Sequence, residues 1–148
     1  SSLAIQWCED NQALFAEIFR VLKPGGRMLF STLGPDTLAE LKQAWSAVDE
    51  YVHVNRFVGR DSLQRAAKDA GFCAMELTEE MITLEYEQLK DLTRELKGIG
   101  AHNINEGRPA GLTGRYRIKQ LLAAYESQRN ERGMLPATYQ VWYGVLEK

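Results

Sequence analysis

Val21 to Thr32, VLKPGGRMLFST, decides the fold: a helix runs into Lys23-Pro24-Gly25-Gly26, and the chain drops at once into a strand. Proline cannot continue a helix and glycine accepts the left-handed turn that closes one, so these four residues end the element before them. Upstream, Leu14, Ile18, Val21 and Leu22 recur at helical spacing from Asn11 to Leu22, and Asp10 or Asn11 stands in place to cap the start. Downstream, Arg27 to Thr32 is a short apolar run, the pattern of a buried strand.

Working outward, Gly34-Pro35-Asp36 is a turn into a helix from Thr37 to about Val48, with Leu38, Leu41, Trp45 and Val48 inward. Tyr51 to Phe57 is loop-like; Asp61 then caps a helix through Ala70 that Gly71 stops. From Phe72 to Tyr86 the spacing changes to two, with Cys73, Met75 and Leu77 followed by Ile82, Leu84 and Tyr86. The phase slips across Glu79-Glu80, which predicts a bulge or a break. Gln88 to Lys97 reads as a helix on Leu89, Leu92 and Leu96, and Gly98 to Leu112 as a long irregular stretch. Thr113 then caps a helix to about Gln128 with Ile118, Leu121, Leu122 and Tyr125 inward, and Thr138 to Leu146 is a final strand. Trp45, Trp142 and Tyr143 fall on these patterns and are assigned to the core. Alternating helix and strand at the start, with late strands joined through other elements, predict an α/β fold. Its sheet is mixed, with an antiparallel last strand and helices on both faces.

Composition narrows the class further. The chain has 148 residues, 45% apolar and 26% charged, which suits one globular domain and excludes disorder. No apolar run approaches the 18 or so residues of a membrane span, and no basic-then-apolar leader is visible. A net charge of -2 argues against a general nucleic-acid binder. Cys8 and Cys73, even with His53 and His102, lack metal-ligand spacing, so no metal site is expected and the cysteines read as reduced thiols of a cytoplasmic protein. The chain opens at Ser1 without methionine and runs straight into Leu3-Ala4-Ile5-Gln6-Trp7, so a fragment is expected.

The helix, Lys-Pro-Gly-Gly turn and strand resemble the approach to strand five of class I S-adenosylmethionine-dependent methyltransferases, and the opening resembles the end of strand four. Taken in order, SSLAIQWCED, LKPGGRMLFSTLGPDTLAELKQAW, HVNRF, LKGIGAHN, GRPAGLTGR and LPATYQVWYGV are similar to the malonyl-acyl-carrier-protein O-methyltransferase family of biotin synthesis. The resemblance covers essentially the whole chain and implies its C-terminal portion of that fold, Rossmann-like, with a substrate-side helical insertion at about 88–130. It implies that Thr138 to Leu146 pairs antiparallel between the Arg27 and Met75 strands. It also implies that Ser2, Leu3 and Ala4 lie near the cofactor, while the glycine-rich cofactor loop belongs upstream of Ser1. We therefore expect no useful binding of S-adenosylmethionine by this chain alone; calorimetry showing micromolar affinity would overturn that.

A carboxylate is already ionised at neutral pH, so methylating it demands alignment and exclusion of water rather than a base, and no acid–base catalytic residue is expected. The resemblance assigns the free carboxylate of malonyl to Arg56, whose planar guanidinium can hold it by two hydrogen bonds, with His53 and Asn55 beside it. His102 and Asn103 are second choices. An ordinary ion pair for Arg56, or loop-internal hydrogen bonds for the other two, would use the same residues. From Arg108 to Arg132 six basic residues face two acidic ones, a segment suited to steering the acidic acyl carrier protein. Arg115 and Arg117 sit where positive charge opposes the helix dipole, a place for an anion such as the phosphate of the carrier's prosthetic arm. Neither nucleic acid nor a membrane is expected as a partner. Two rivals stand beside this function. One is another small-molecule methyltransferase of the same fold, acting on a small carboxylic acid or a quinone precursor. The other is a non-catalytic module that binds a carrier protein.

Overall fold

The computed structural model describes residues 1–99, 101 and 114–148. In chain order the elements among the described residues are α1 (Asn11–Val21), β1 (Arg27–Leu33), α2 (Ala39–Ser46), α3 (Arg60–Ala70), β2 (Ala74–Tyr86), α4 (Leu89–Gly98), α5 (Arg115–Glu126) and β3 (Leu135–Glu147), with a 3-10 turn at Ile5–Trp7. The three strands form a sheet in the order β1-β3-β2. The last strand is therefore central, as expected.

The chain divides into two compact units, one of Ser1–Thr37, Phe57–Ile82 and Gln140–Lys148, the other of Leu38–Arg56 and Thr83–Tyr139. Neither is continuous in sequence. No linker marks them, because the chain passes between them at a turn, a loop and the middles of β2 and β3.

In the first unit, α1 is capped by Asp10, whose side chain accepts from Ala13 N–H at 2.9 Å. Its far end is closed by Lys148, whose ammonium donates to the carbonyls of Phe19 and Leu22, groups the helix itself leaves unpaired. Gly25 takes the left-handed conformation (φ 74°) of the Lys-Pro-Gly-Gly turn. β1 pairs antiparallel with β3 from Arg27↔Glu147 to Leu33↔Val141. At its other edge it receives the chain start: Ser2 bridges Ser31 in parallel, Leu3 N–H donates to Ser31 O at 3.0 Å and Ser31 N–H to Ser1 O at 2.9 Å. This parallel contact is a single isolated bridge outside the three strands. Phe30 and Thr32 of β1 are buried, and Phe15, Phe30, Leu63, Ala67, Phe72, Trp142 and Leu146 form this unit's core, built from α1, α3 and one face of the sheet. Leu29, on the opposite face, is 65% exposed. Tyr143 is 42% exposed and so is not core, because strand neighbours point to opposite sides and Trp142 takes the inner one.

α3 starts one residue before Asp61, with Gly59 at the cap position and Asp61 only in the first turn, and ends as expected at left-handed Gly71. β2 runs without the expected interruption at Glu79-Glu80. Trp142 Nε1–H donates to Glu79 at 3.3 Å, and the hydroxyls of Thr83 and Thr138 meet at 3.1 Å. Met81 and Leu84 are exposed, so burial never dictated the period there.

The second unit's core is Leu38, Leu41 and Ala44 around α2, Tyr86, Leu89 and Leu92 around α4, Leu121 and Tyr125 on α5, and Leu135 and Ala137 on β3. Ile118 and Leu122, expected inward, are exposed: α5 buries only the narrow stripe of Leu121 and Tyr125, four residues apart. Its start at Gly114-Arg115 replaces the expected Thr113 cap, and Thr113 lies outside the described residues. Polar groups in this core are paired. Tyr125 Oη donates to Pro136 O at 2.8 Å, Tyr86 Oη to Glu95 at 2.9 Å, and Glu40 accepts from Thr138 N–H at 3.0 Å. Burial, then the neighbouring carboxylates and phenols, pushes Tyr86, Tyr125 and Tyr139 above the ordinary tyrosine range. No helix among the described residues is long and apolar enough to cross a membrane.

Candidate functional site

α2 stops at Ser46, and the chain doubles back through a short turn in which Val48 N–H and Asp49 N–H both donate to Trp45 O. Asp49 organises the loop beyond that turn. Its Oδ1 accepts from Tyr51 N–H at 3.0 Å, a local turn of the kind aspartate favours, and from His53 Nε2 at 2.7 Å. A carboxylate can only accept here, so Nε2 carries the hydrogen. The side chains of His53 and Asp49 are 8% and 9% exposed. Trp45 lies flat on the His53 ring, centroids 3.5 Å apart and planes 6° from parallel, and Tyr51 meets it edge-on.

Around this pair is a cavity of about 280 Å³ whose wall includes Lys42, Trp45, Asp49, Tyr51, His53 and Arg56. That volume lies just below the roughly 300–1,000 Å³ usual for small-molecule sites, so it suits a small ligand rather than a bulky one. Arg117 reaches in from α5. Its Nη1 lies 3.6 Å from Asp49 Oδ2, and its guanidinium sits 5.4 Å above the Tyr51 ring. Burial acts to raise the Asp49 pKa. The His53 hydrogen bond, the Tyr51 N–H and the charges of His53 and Arg117 outweigh it, leaving the carboxyl below its ordinary value.

A carboxyl with a depressed pKa adds stability that is whole above its unfolded value, 3.8, and is lost as pH falls through the folded one. Denaturant titrations of this chain at pH 5 and pH 3 should therefore show a smaller acid-side loss for Asp49→Asn than for the unsubstituted chain. Equal losses would mean that the Asp49 charge contributes nothing to folding.

Of the site residues expected from sequence, His53 and Arg56 line this cavity, Asn55 lies between them, and Arg117 joins through Asp49. Arg117 is thus turned to the Asp49 carboxylate rather than standing with Arg115 at the helix start. Arg115 is exposed on the first turn of α5. The basic segment is also partly neutralised within the chain: Arg129 pairs with Glu126 and Arg132 with Glu85. His102 and Asn103 lie outside the described residues. Sequence reasoning missed Asp49; Trp45, assigned to the core, does pack partly buried against the second unit's core and also stacks on His53. The available signal was the four-residue spacing of Trp45, Asp49 and His53, hidden because the helix ends after the first of them. Ser2, Leu3 and Ala4 lie in the other unit, beside the C-terminal half of β1, with Leu3 at a left-handed φ of 44°. Backbone strain of that kind is concentrated at functional sites in proteins generally. Cys8 and Cys73 are free thiols, and no cluster of metal-ligating side chains occurs among the described residues.

The profile of the methyltransferase domain family matches residues 2–77. The chain is 55% identical over its whole length to the biotin biosynthesis bifunctional protein BioHC of Cellvibrio japonicus, of which it covers 29%. It is 48% identical to the malonyl-[acyl-carrier protein] O-methyltransferase of Gallionella capsiferriformans over 97% of this chain and 49% of that protein. For the protein of the same name from Hahella chejuensis the figures are 47%, 100% and 52%. The chain therefore spans about half the length of its single-function relatives and under a third of the bifunctional one. Among solved structures it resembles a Bacillus halodurans protein described as a methyltransferase, with a TM-score of 0.60 at 13% identity, covering 99% of this chain and 62% of that one. The YcgJ protein of Bacillus subtilis gives 0.58 at 16%, covering 99% and 61%. At such identities the likeness speaks for the fold alone, and it is the α/β fold that the sheet order and the parallel bridge at Ser31 describe. The match across half the chain carries the conclusion: this chain belongs to the methyltransferase domain family.

Proposed function

We propose that the enzyme containing this chain transfers a methyl group from S-adenosylmethionine to the free carboxyl of malonyl held on acyl carrier protein, in biotin synthesis. In this reading the chain supplies the substrate side. The observation that carries it is a small cavity walled by Arg56, His53 and Lys42, in a chain matched end to end by relatives named for that reaction. Arg56 pairs with one carboxylate oxygen and leaves the other as nucleophile. A carboxylate clamped at both oxygens would be held well but would attack poorly. Alignment of that oxygen with the methyl group does the rest.

S-adenosylmethionine supplies the electrophilic methyl group when bound. Ser2, Leu3 and Ala4 offer backbone groups, one hydroxyl and two apolar side chains, which fits an edge of that cofactor; its charged end needs a partner these three residues do not provide. Arg115, exposed at the start of α5, is the cation we assign to the carrier. We further infer a cytoplasmic setting.

The test uses the full-length enzyme, S-adenosylmethionine and malonyl-acyl carrier protein, with mass spectrometry of the acyl group. A gain of one methylene, lost on saponification, is the expected result. Methylation of other small carboxylic acids in its place would overturn the substrate.

A further inference from the structure

Methylating a carboxylate requires no base, yet the pocket contains a buried aspartate–histidine pair. Asp49 and His53 meet at 2.7 Å with side chains under a tenth exposed. The imidazole is fixed on every side that matters. Nε2 is committed to Asp49, Trp45 is stacked on one face, and Tyr51 stands at the edge. Nδ1 is then the ring nitrogen left for a ligand, and as an imidazolium the ring donates from both nitrogens. Besides His53, Oδ1 accepts only from Tyr51 N–H among the described residues. Oδ2 is buried with no hydrogen bond, and Arg117 Nη1 at 3.6 Å is beyond hydrogen-bond reach.

Resting on the function proposed above, we propose that Asp49 is a positioning residue that holds the His53 ring as an imidazolium, so that Nδ1–H becomes a second donor to the one carboxylate oxygen that Arg56 holds and the other oxygen stays open as nucleophile. Arg117 holds Asp49 from the far side and is itself braced on Tyr51. The pair acts as an oriented donor and removes no proton from the acceptor. Its effect belongs to substrate binding, and Asp49 acts only through His53.

Asp49→Asn keeps the size and the acceptor at Oδ1 while removing the charge, and His53→Gln keeps a polar side chain without the ring. In the full-length enzyme with malonyl-acyl carrier protein, each should raise KM by roughly tenfold or more while kcat falls by less than about threefold. The double variant should be no worse than the more damaging single, as for two residues in one chain of action. His53→Gln keeps the test open should Asp49→Asn fail to fold. An unmoved KM, or losses that multiply in the double variant, would overturn the positioning role and leave the function standing. An unsubstituted enzyme that methylates a different acceptor and not malonyl would overturn the function, and this assignment with it.

Discussion

Arg56→Ala in the full-length enzyme is expected to lower kcat/KM for malonyl-acyl carrier protein by roughly 10- to 150-fold. That corresponds to the loss of one charge-assisted hydrogen bond of about 1.5–3 kcal/mol. Stability should fall far less than efficiency, because Arg56 is exposed on the cavity wall. The loss should be the same with a small malonyl thioester that lacks the carrier. Arg115→Ala should differ on that point. It should weaken the reaction with the carrier in a salt-dependent way and leave the small thioester unaffected. Steady-state kinetics with both substrates at two ionic strengths separates the two. Unchanged efficiency for Arg56→Ala with both substrates would make the residue structural and move the carboxylate site elsewhere.

The largest expected effect on stability comes from a position with no side chain. Gly144 of β3 pairs with Phe30 of β1, and the Phe30 ring lies across it. A Cβ at Gly144 would stand 2.2 Å from the ring. Phe30 cannot retreat, for it is buried against Phe15 at 6.1 Å between centroids. Gly144→Ala should therefore cost about 1–3 kcal/mol by overpacking, and Gly144→Val more. Replacing Phe30 by leucine in the same chain should recover part of the loss, because the two residues share one space. Thermal unfolding of the two singles and the double decides it. Strict additivity would mean that the strand shifts to admit the methyl group and that the ring is not the obstacle.

What could be read from the sequence was what is decided within a few residues. Asp10 as a cap, the Lys-Pro-Gly-Gly stop and the left-handed Gly71 each follow from local backbone chemistry and were legible. The central place of β3 was legible only through the family resemblance, since nothing in TYQVWYGVL names its neighbours. The uninterrupted β2 was not legible. It meets β3 through Glu79 to Trp142 and Thr83 to Thr138, contacts between residues 63 and 55 apart in the chain. In the candidate site, His53 and Arg56 stood out as charged or ionisable residues in a loop. Asp49 did not, because its importance lies in a chain that turns back after Ser46 and in Arg117 arriving from α5. The inward face of α5 was overdrawn for a related reason. Helical spacing marks Ile118 and Leu122 as eligible for burial, and only the partner surface decides which eligible residues are covered.

The three tyrosines in the core of the second unit have a use in the hands of an experimenter. A phenol whose folded pKa is raised gives stability that is complete below its unfolded value, near 10, and is lost as pH climbs through the folded one. Phenolate absorbs in the near ultraviolet where phenol does not, so Tyr86, Tyr125 and Tyr139 should stay optically silent while exposed tyrosines colour. They should then change together when this core gives way. The protein thus carries an unlabelled optical gauge of one half of itself, readable in alkali with a spectrophotometer alone.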